Sequence, residues 1–186
     1  GYSKYSLPFS LPVIEDRMLF TEPKRGDVFV FRLPTDTTKD YIKRLIGLPG
    51  DSIQVVDGIL HINGTAVQRE HVDDYLIDNG FGNVRRIPRY METLPNGVRH
   101  PILEAYGDDG SADNTPVFNV PEGHYFAMGD NRDSSKDSRF SDVGFIPRMN
   151  LIGRAEFLWI SIDGNGWEFW KWPVTARFSR FFSSID

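Results

Sequence analysis

Two stretches of this sequence carry side chains able to do acid–base chemistry. The first is Asp40-Tyr-Ile-Lys-Arg-Leu-Ile-Gly-Leu-Pro-Gly-Asp51, which sets Lys43 beside Ile42 and just ahead of Leu45-Ile46. Burial disfavours the charged ammonium and lowers a lysine's pKa, so a partly desolvated lysine can accept a proton near neutral pH. The same residues also make an ordinary strand with one solvated lysine, and the local pattern does not choose between the two. The second stretch is Gly129-Asp-Asn-Arg-Asp-Ser-Ser-Lys-Asp-Ser-Arg139, with three Asp, two Arg and three Ser in eleven residues. Turn propensity alone accounts for such a loop. Charge-assisted hydrogen bonds between its Asp and Arg groups would instead hold it in a fixed shape, with hydroxyls free to orient a neighbouring amine. Composition leaves both readings open.

Elements that could position these groups follow from the rest of the chain. With 186 residues, the sequence is long enough for one sizeable domain or a core with an inserted subdomain. Twelve Pro and 17 Gly, with short Val, Ile and Phe runs between them, favour a mostly β fold rich in turns. Val28-Phe-Val-Phe31 is a continuous apolar run that predicts a strand buried on both faces. Pro34 to Lys39 is a polar loop, and Tyr41 to Ile46 the next strand. A meander follows through Ser52–Val56, Ile59–Ile62 and Thr65–Gln68. Its turns, Asp57-Gly58 and Asn63-Gly64, are the residue pairs a type I′ hairpin requires. That turn also explains Asn63-Gly64-Thr65, which otherwise matches an N-glycosylation pattern.

Residues 69–116 are polar, acidic and weakly periodic, and read as an inserted, variable β-subdomain. Within them, Asp108-Asp-Gly-Ser-Ala-Asp-Asn114 lacks the Gly at the sixth position of a calcium-binding EF-hand loop and is expected to be a solvated loop. Val117–Val120 and His124–Met128 read as strands. Leu151 to Ile160 reads as one long final strand with Arg154 and Glu156 on its polar side. The expected domain organisation is a discontinuous core of residues 1–55 and 117–186, with the hairpin and inserted subdomain in 56–116.

Several classes of function are excluded or disfavoured. The chain has no Cys, which removes disulfides, thiolate chemistry and Cys-based metal sites. His61, His71, His100 and His124 have no metal-ligand spacing, so neither a metal nor a cofactor is expected. A net charge of −5 without a long basic run points away from nucleic acid. No apolar run approaches the roughly 18 residues of a membrane-spanning helix. Two regions are nevertheless rich in amphipathic rings of the kind found at a bilayer interface. They are the arm Leu7 to Val13, held extended by Pro8 and Pro12, and the tail Trp167-Glu-Phe-Trp-Lys-Trp-Pro173. The same rings also serve as ordinary core and rim residues.

The string from Gly129 to Arg139 resembles the G-D-N-R-D-N-S-x-D-S-R box of bacterial type I signal peptidases. Asp40 to Asp51 is similar to the lysine box of that family, and Lys24-Arg-Gly-Asp-Val-Phe-Val-Phe31 to the strand preceding it. The motifs occur in the family's order and cover most of the chain outside 69–116. The resemblance implies a mostly β fold, with a signal-peptidase-like core of coiled antiparallel sheets and an inserted smaller β-subdomain. It implies a membrane-anchored serine endopeptidase with a Ser-Lys dyad, acting on the outer (periplasmic) face of the cytoplasmic membrane. The implied partners are the signal peptides of exported preproteins, with small residues at the cleavage site, and the phospholipid surface.

By the same resemblance, Lys43 corresponds to the general base and Ser135 to the serine that orients it. Asp137 and Arg139 correspond to a stiffening ion pair, and Asp130, Asn131, Arg132 and Asp133 to the rest of the supporting loop. Tyr41 and Ile42 fall where the family lines its substrate cleft. Ser134 falls there too, at a position where the family commonly has Asn. The family carries its nucleophile in an S-x-S-M-x-P box ahead of the lysine strand. No Ser here is followed by Met, and Gly1 to Tyr5 matches the stretch shortly after that box. The expectation is therefore a base without its nucleophile, inactive as written. The alternative expectation is a non-catalytic module of the same fold that binds extended peptides by adding a strand to a sheet edge.

Overall fold

The computed structural model describes residues 22–78 and 84–155, together with two short strands at 157–158 and 183–184. The arm, the tail tryptophans and Glu156 lie outside the described residues. The protein is mostly β, as expected. Its strands are β1 (Val28–Arg32), β2 (Asp40–Gly47), β3 (Ser52–Val56), β4 (Ile59–Ile62), β5 (Thr65–Ala66), β6 (Gln68–Asp78), β7 (Val84–Thr93) and β8 (Arg99–Leu103). After these come β9 (Phe118–Asn119), β10 (His124–Met128), β11 (Ile146–Pro147), β12 (Leu151–Arg154), β13 (Phe157–Leu158) and β14 (Ser183–Ser184). Residues 1–154 form one compact unit and 155–186 a second, in which β13 pairs antiparallel with β14.

The first unit holds three antiparallel sheets, with strand orders β11-β10-β2-β1-β12, β5-β4-β3-β9 and β6-β7-β8. The hairpin turns β3–β4 and β4–β5 have the conformation their residues predict. Asp57 and Gly58 have φ of 48° and 70°, and Asn63 and Gly64 have 53° and 76°. Positive φ at both central positions gives the turn the twist of the strands it joins. The Asn63 side chain accepts from Ser52 N–H and donates to Asp51, each at 2.9 Å. That is the role of a turn residue.

Two apolar cores lie on either side of the central strands. One gathers Ile46, Ile53, Val55, Leu60, Ile62, Val67, Leu94, Val120, Phe126 and Met128. The other gathers Phe29, Phe31, Leu33, Leu45, Tyr125, Ala127, Val143, Ile146 and Leu151. Strands β2 and β10 feed both, because successive side chains on a strand point to opposite faces. The expectation for Val28–Phe31 is corrected here. Only Phe29 and Phe31 are buried, while Val28 and Val30 are half-buried. The core built on β3 and β4 reaches β2 and β10 but contains no residue of β1. Burial on both faces is found instead along β10 and the second half of β2.

The single long strand expected over Leu151–Ile160 is also corrected. Strand β12 stops at Arg154, which sits opposite Phe29. Its partner β1 begins one residue earlier, after the turn at residues 24–27, so the ladder ends there. Residues 159 and 160 lie outside the described residues. In 69–116 the weakly periodic sequence forms a sheet of its own, the long pair β6–β7 with β8 alongside. Leu94, just past β7, is 1% exposed and belongs to the first core.

Phe126 is fully buried and packs against Phe118 and Phe145, with ring centroids 5.1 and 6.2 Å away. Truncating it to Ala should destabilise the protein by about 3–5 kcal/mol through lost transfer energy and a residual cavity. The measurement is the shift in urea midpoint at unchanged slope.

Candidate active site

Pairing between β1, β2 and β10 sets the position of Lys43. It lies opposite Phe29, and its neighbour Arg44 lies opposite Met128, the last residue of β10. The polar loop therefore begins, at Gly129, beside the lysine. Lys43 is half-buried and shares its strand face with Tyr41, its Nζ 5.8 Å from the tyrosine ring centroid. Burial depresses the pKa of Lys43. The carboxylates of Asp137 and Asp130 pull the other way, and the Arg139 guanidinium partly cancels them.

Loop 129–139 is clamped by one carboxylate. Asp137, fully buried, accepts the Gly129 N–H at 2.9 Å and the Arg139 N–H at 3.2 Å. It also accepts Arg139 Nε and Nη2 at 2.9 and 3.0 Å. The same guanidinium donates to the Arg132 carbonyl, so it ties the two limbs of the loop together. Ser138 and Ala127 exchange two bonds of 3.0 Å, one through the Ser138 backbone N–H and one through its hydroxyl oxygen.

This clamp turns Ser135 inward against Gly129. A Cβ placed on Gly129 would run into the Ser135 hydroxyl and stand 3.5 Å from Lys43 Nζ. The amine and the hydroxyl thus border the same missing side chain. Ser135 Oγ is buried and makes no hydrogen bond among the described residues. Its lone pairs and proton remain available beside an amine whose pKa is lowered. Ser134, on the same short turn, is exposed, as is Lys136, which pairs with Asp142. Ile42 is exposed on the strand face opposite Lys43 and Tyr41.

A chain of buried charges backs the loop. Arg44, 4% exposed, makes a two-pronged contact with Asp130, both bonds at 2.9 Å. His100 on β8 is fully buried, with Nδ1 3.5 Å from Asp130 and Nε2 3.2 Å from Glu92. Glu92 on β7 accepts both terminal nitrogens of Arg132 at 3.0 and 2.5 Å. Signs alternate along the whole chain, and it joins the β6-β7-β8 sheet to the loop. Backbone contacts reinforce it: Leu103 N–H donates to the Asp130 carbonyl at 2.8 Å, and Leu103 bridges to Asn131. Burial opposes the charges of Glu92, His100, Asp130 and Arg132, and the partners prevail. Glu92 is lowered to about 2 by Arg132 and His100. Asp130 is held well below the usual carboxylate range by His100 and Arg44. His100 is raised by Asp130 and Glu92.

Of the residues the sequence singles out, Tyr41, Lys43, Ser135, Asp137 and Arg139 come together around Gly129. Asp130 and Arg132 point away from it into the charge chain. Arg44, Glu92 and His100 escape the sequence reading. Arg44 is visible beside Lys43, but nothing in the string tells of Asp130. The solvated loop expected at 108–114 is corrected in part. Asp108 and Asn114 are exposed, but Asp113 is 1% exposed, because the chain folds it back toward Glu104 and Asp133.

Comparison with known proteins places the chain among relatives. The family model described as signal peptidase, peptidase S26, matches residues 3–160. Proteins named Signal peptidase I from Rickettsia canadensis (strain McKiel) and Rickettsia typhi (strain ATCC VR-144 / Wilmington) are 46% and 41% identical to it over 204 residues. Each alignment covers 100% of this chain and 75% of the relative. A solved signal peptidase I from Enterococcus faecalis V583 aligns with 27% identity and a TM-score of 0.42, over 73% of this chain and 98% of that one.

The charge chain makes stability depend on pH from both sides. Glu92 has a lowered folded pKa, so its contribution is complete above its unfolded value near 4.5 and is lost as pH falls toward about 2. His100 has a raised folded pKa, so its contribution is complete below 6.5 and fades as pH rises through the folded value. Glu92→Gln should cost about 3–5 kcal/mol at neutral pH, since it strands the buried Arg132 charge. It should also flatten the loss of stability between pH 4.5 and 2. Urea unfolding across that range checks both; parallel acid limbs in the two proteins would exclude Glu92 as the titrating group.

Proposed function

From the premise that this chain belongs to the signal peptidase family, peptidase S26, we propose that it acts as a serine endopeptidase that removes signal peptides from exported preproteins, with Lys43 as the general base. The observation that carries this reading is the packing of Lys43 Nζ and Ser135 Oγ around Gly129. Lys43, in the neutral form that its burial favours, takes the proton from an attacking serine hydroxyl as that oxygen bonds to the scissile carbonyl carbon. The resulting ammonium then gives a proton to the departing amine. Water releases the acyl group in the second half-reaction, with Lys43 again the base. Ser135 orients the amine as a hydroxyl partner, which stabilises the charged form less than a carboxylate would. The Asp137–Arg139 pair supplies rigidity while placing little net charge beside Lys43.

Tyr41, Ile42 and Ser134 are proposed to border the substrate cleft. Asp130, Asn131, Arg132 and Asp133 are proposed to support the loop. The proposed location is the outer face of the cytoplasmic membrane, in contact with phospholipid. Support for the membrane surface comes from the rings of the 7–13 arm and the 167–173 tail. No helix among the described residues is long and apolar enough to cross a membrane.

In the full gene-encoded protein, Lys43→Ala should slow preprotein cleavage by about 10²–10⁴-fold or more, the usual contribution of a general base. Lys136→Ala, which changes only an exposed lysine of the same loop, should leave cleavage unchanged. Cleavage should rise with pH along a limb whose midpoint lies below the ordinary lysine value of 10.5. Full activity of Lys43→Ala in a preprotein assay would refute the assignment.

For the membrane surface, the measurement is flotation with phospholipid liposomes. Replacing Trp170 and Trp172 together by Ala should lower binding several-fold; equal flotation of wild type and variant would remove the interfacial role.

A further inference from the structure

A second cluster of side chains meets the supporting loop at Asp133, on residues other than Lys43 and Ser135. Glu104 follows β8, Asp113 lies in the connection to β9, and Asp133 belongs to the polar loop. One carboxylate oxygen from each lies within 4.8 Å of the others. Three like charges at this distance repel strongly in a low-dielectric setting. Glu104 and Asp113 are each only 1% exposed, and Asp133 is partly buried.

The usual remedies for buried carboxylates are missing. Neither oxygen of Glu104 has a hydrogen-bond partner among the described residues. Arg69 Nη1 stands 3.7 Å from it, but that guanidinium is engaged by Asp108 through two contacts of 2.9 Å. The other nearby cation, Arg132, gives both terminal nitrogens to Glu92 and makes no hydrogen bond to Glu104. Asp113 and Asp133 each take one backbone N–H, from Gly110 at 2.5 Å and from Tyr106 at 2.7 Å. Each keeps lone pairs free. Gly110 also keeps the space beside them open: a Cβ there would meet Asp113 Oδ2 and Asp133 Oδ1, both at 2.8 Å. A buried polar group without a partner is rare enough to need a cause.

We propose that Glu104, Asp113 and Asp133 form a binding site for a divalent cation of the calcium type. The donors are all hard oxygens, without the nitrogen or sulfur that zinc prefers. Calcium binds oxygens at 2.3–2.6 Å, so two ligands of one ion stand at most about 5 Å apart. The carboxylates meet that limit as they stand. One dipositive ion would offset two of the three carboxylate charges that otherwise repel one another. Burial first, and then the charges of Asp133 and Asp113, push the Glu104 carboxyl up to about 8 against the pull of Arg132. A proton on Glu104 is therefore the competitor of the ion, and binding releases it. The bound ion would fasten the end of β8 and the 107–113 turn to the loop, two residues before Ser135. It would stiffen the support of the candidate active site without touching substrate.

The test uses the full gene-encoded protein, stripped with a chelator and titrated with CaCl2 alone. Thermal unfolding should shift upward by about 5–10 °C when calcium is a hundredfold above its Kd. Terbium, excited through Tyr106, should luminesce on binding and lose that signal when calcium displaces it. Glu104→Gln is the discriminating variant. It replaces a carboxyl that burial keeps protonated in the metal-free protein by a neutral group of nearly the same shape, so the metal-free protein should be about as stable as wild type. It should nevertheless lose both the calcium shift and the terbium signal. An absent shift in wild type would overturn the proposal in favour of a carboxyl trio held by a shared proton. An undiminished shift in Glu104→Gln would overturn it by placing the ion elsewhere.

Discussion

The carboxylate of Asp137 is the constraint on which the candidate site depends. It is fully buried, and it gathers the Gly129 N–H, the Arg139 N–H and the Arg139 side chain. A buried carboxylate without such donors would be costly. Satisfied in this way, it fixes the start and end of an eleven-residue loop to one another. Only then does Ser135 turn inward, and only the missing side chain of Gly129 leaves room for it beside Lys43. The proposed base is held by a strand and its proposed partner by a loop, and this one ionic clamp makes the loop as well defined as the strand.

The loop is braced from behind by charges that alternate in sign through Arg44, Asp130, His100, Glu92 and Arg132. Each would be expensive to bury alone, and breaking one link strands the next. The arrangement therefore does more than add stability. It makes the β6-β7-β8 sheet a structural partner of the site, through His100 and Glu92, which lie 30 and 40 positions from the loop residues they pair with. An inserted segment that reads as variable supplies two members, Glu92 and His100, of a buried network under the candidate active site.

Much of the fold is legible in the sequence, and where it is not, the reasons are physical. The Asp-Gly and Asn-Gly turns are local: backbone sterics alone require positive φ there, and the structure has it. Strand β10 is equally plain from His124 to Met128. Burial of β1 is misread because a continuous apolar run records what can be buried, not how many layers the fold supplies. Strand β12 is read too long because its end is set by where β1 begins, which is a property of the partner strand. The buried Asp113 is misread for a similar reason. A run of Asp, Gly and Ser has the composition of a solvated loop whether or not another acid folds over it.

By itself, the sequence determined the two motifs, the strands and turns that carry them, and the family to which they belong. It did so because local propensity and motif spacing are written along the chain. Tertiary structure alone decided which side chains meet. It set Lys43 and Ser135 around one glycine, separated Ile42 from Tyr41 by a strand face, paired Arg44 with Asp130, and drew three acids together. Such meetings depend on sheet register, on which face of a strand each residue occupies, and on which charges find partners once water is removed. Composition and spacing along the chain carry none of that information.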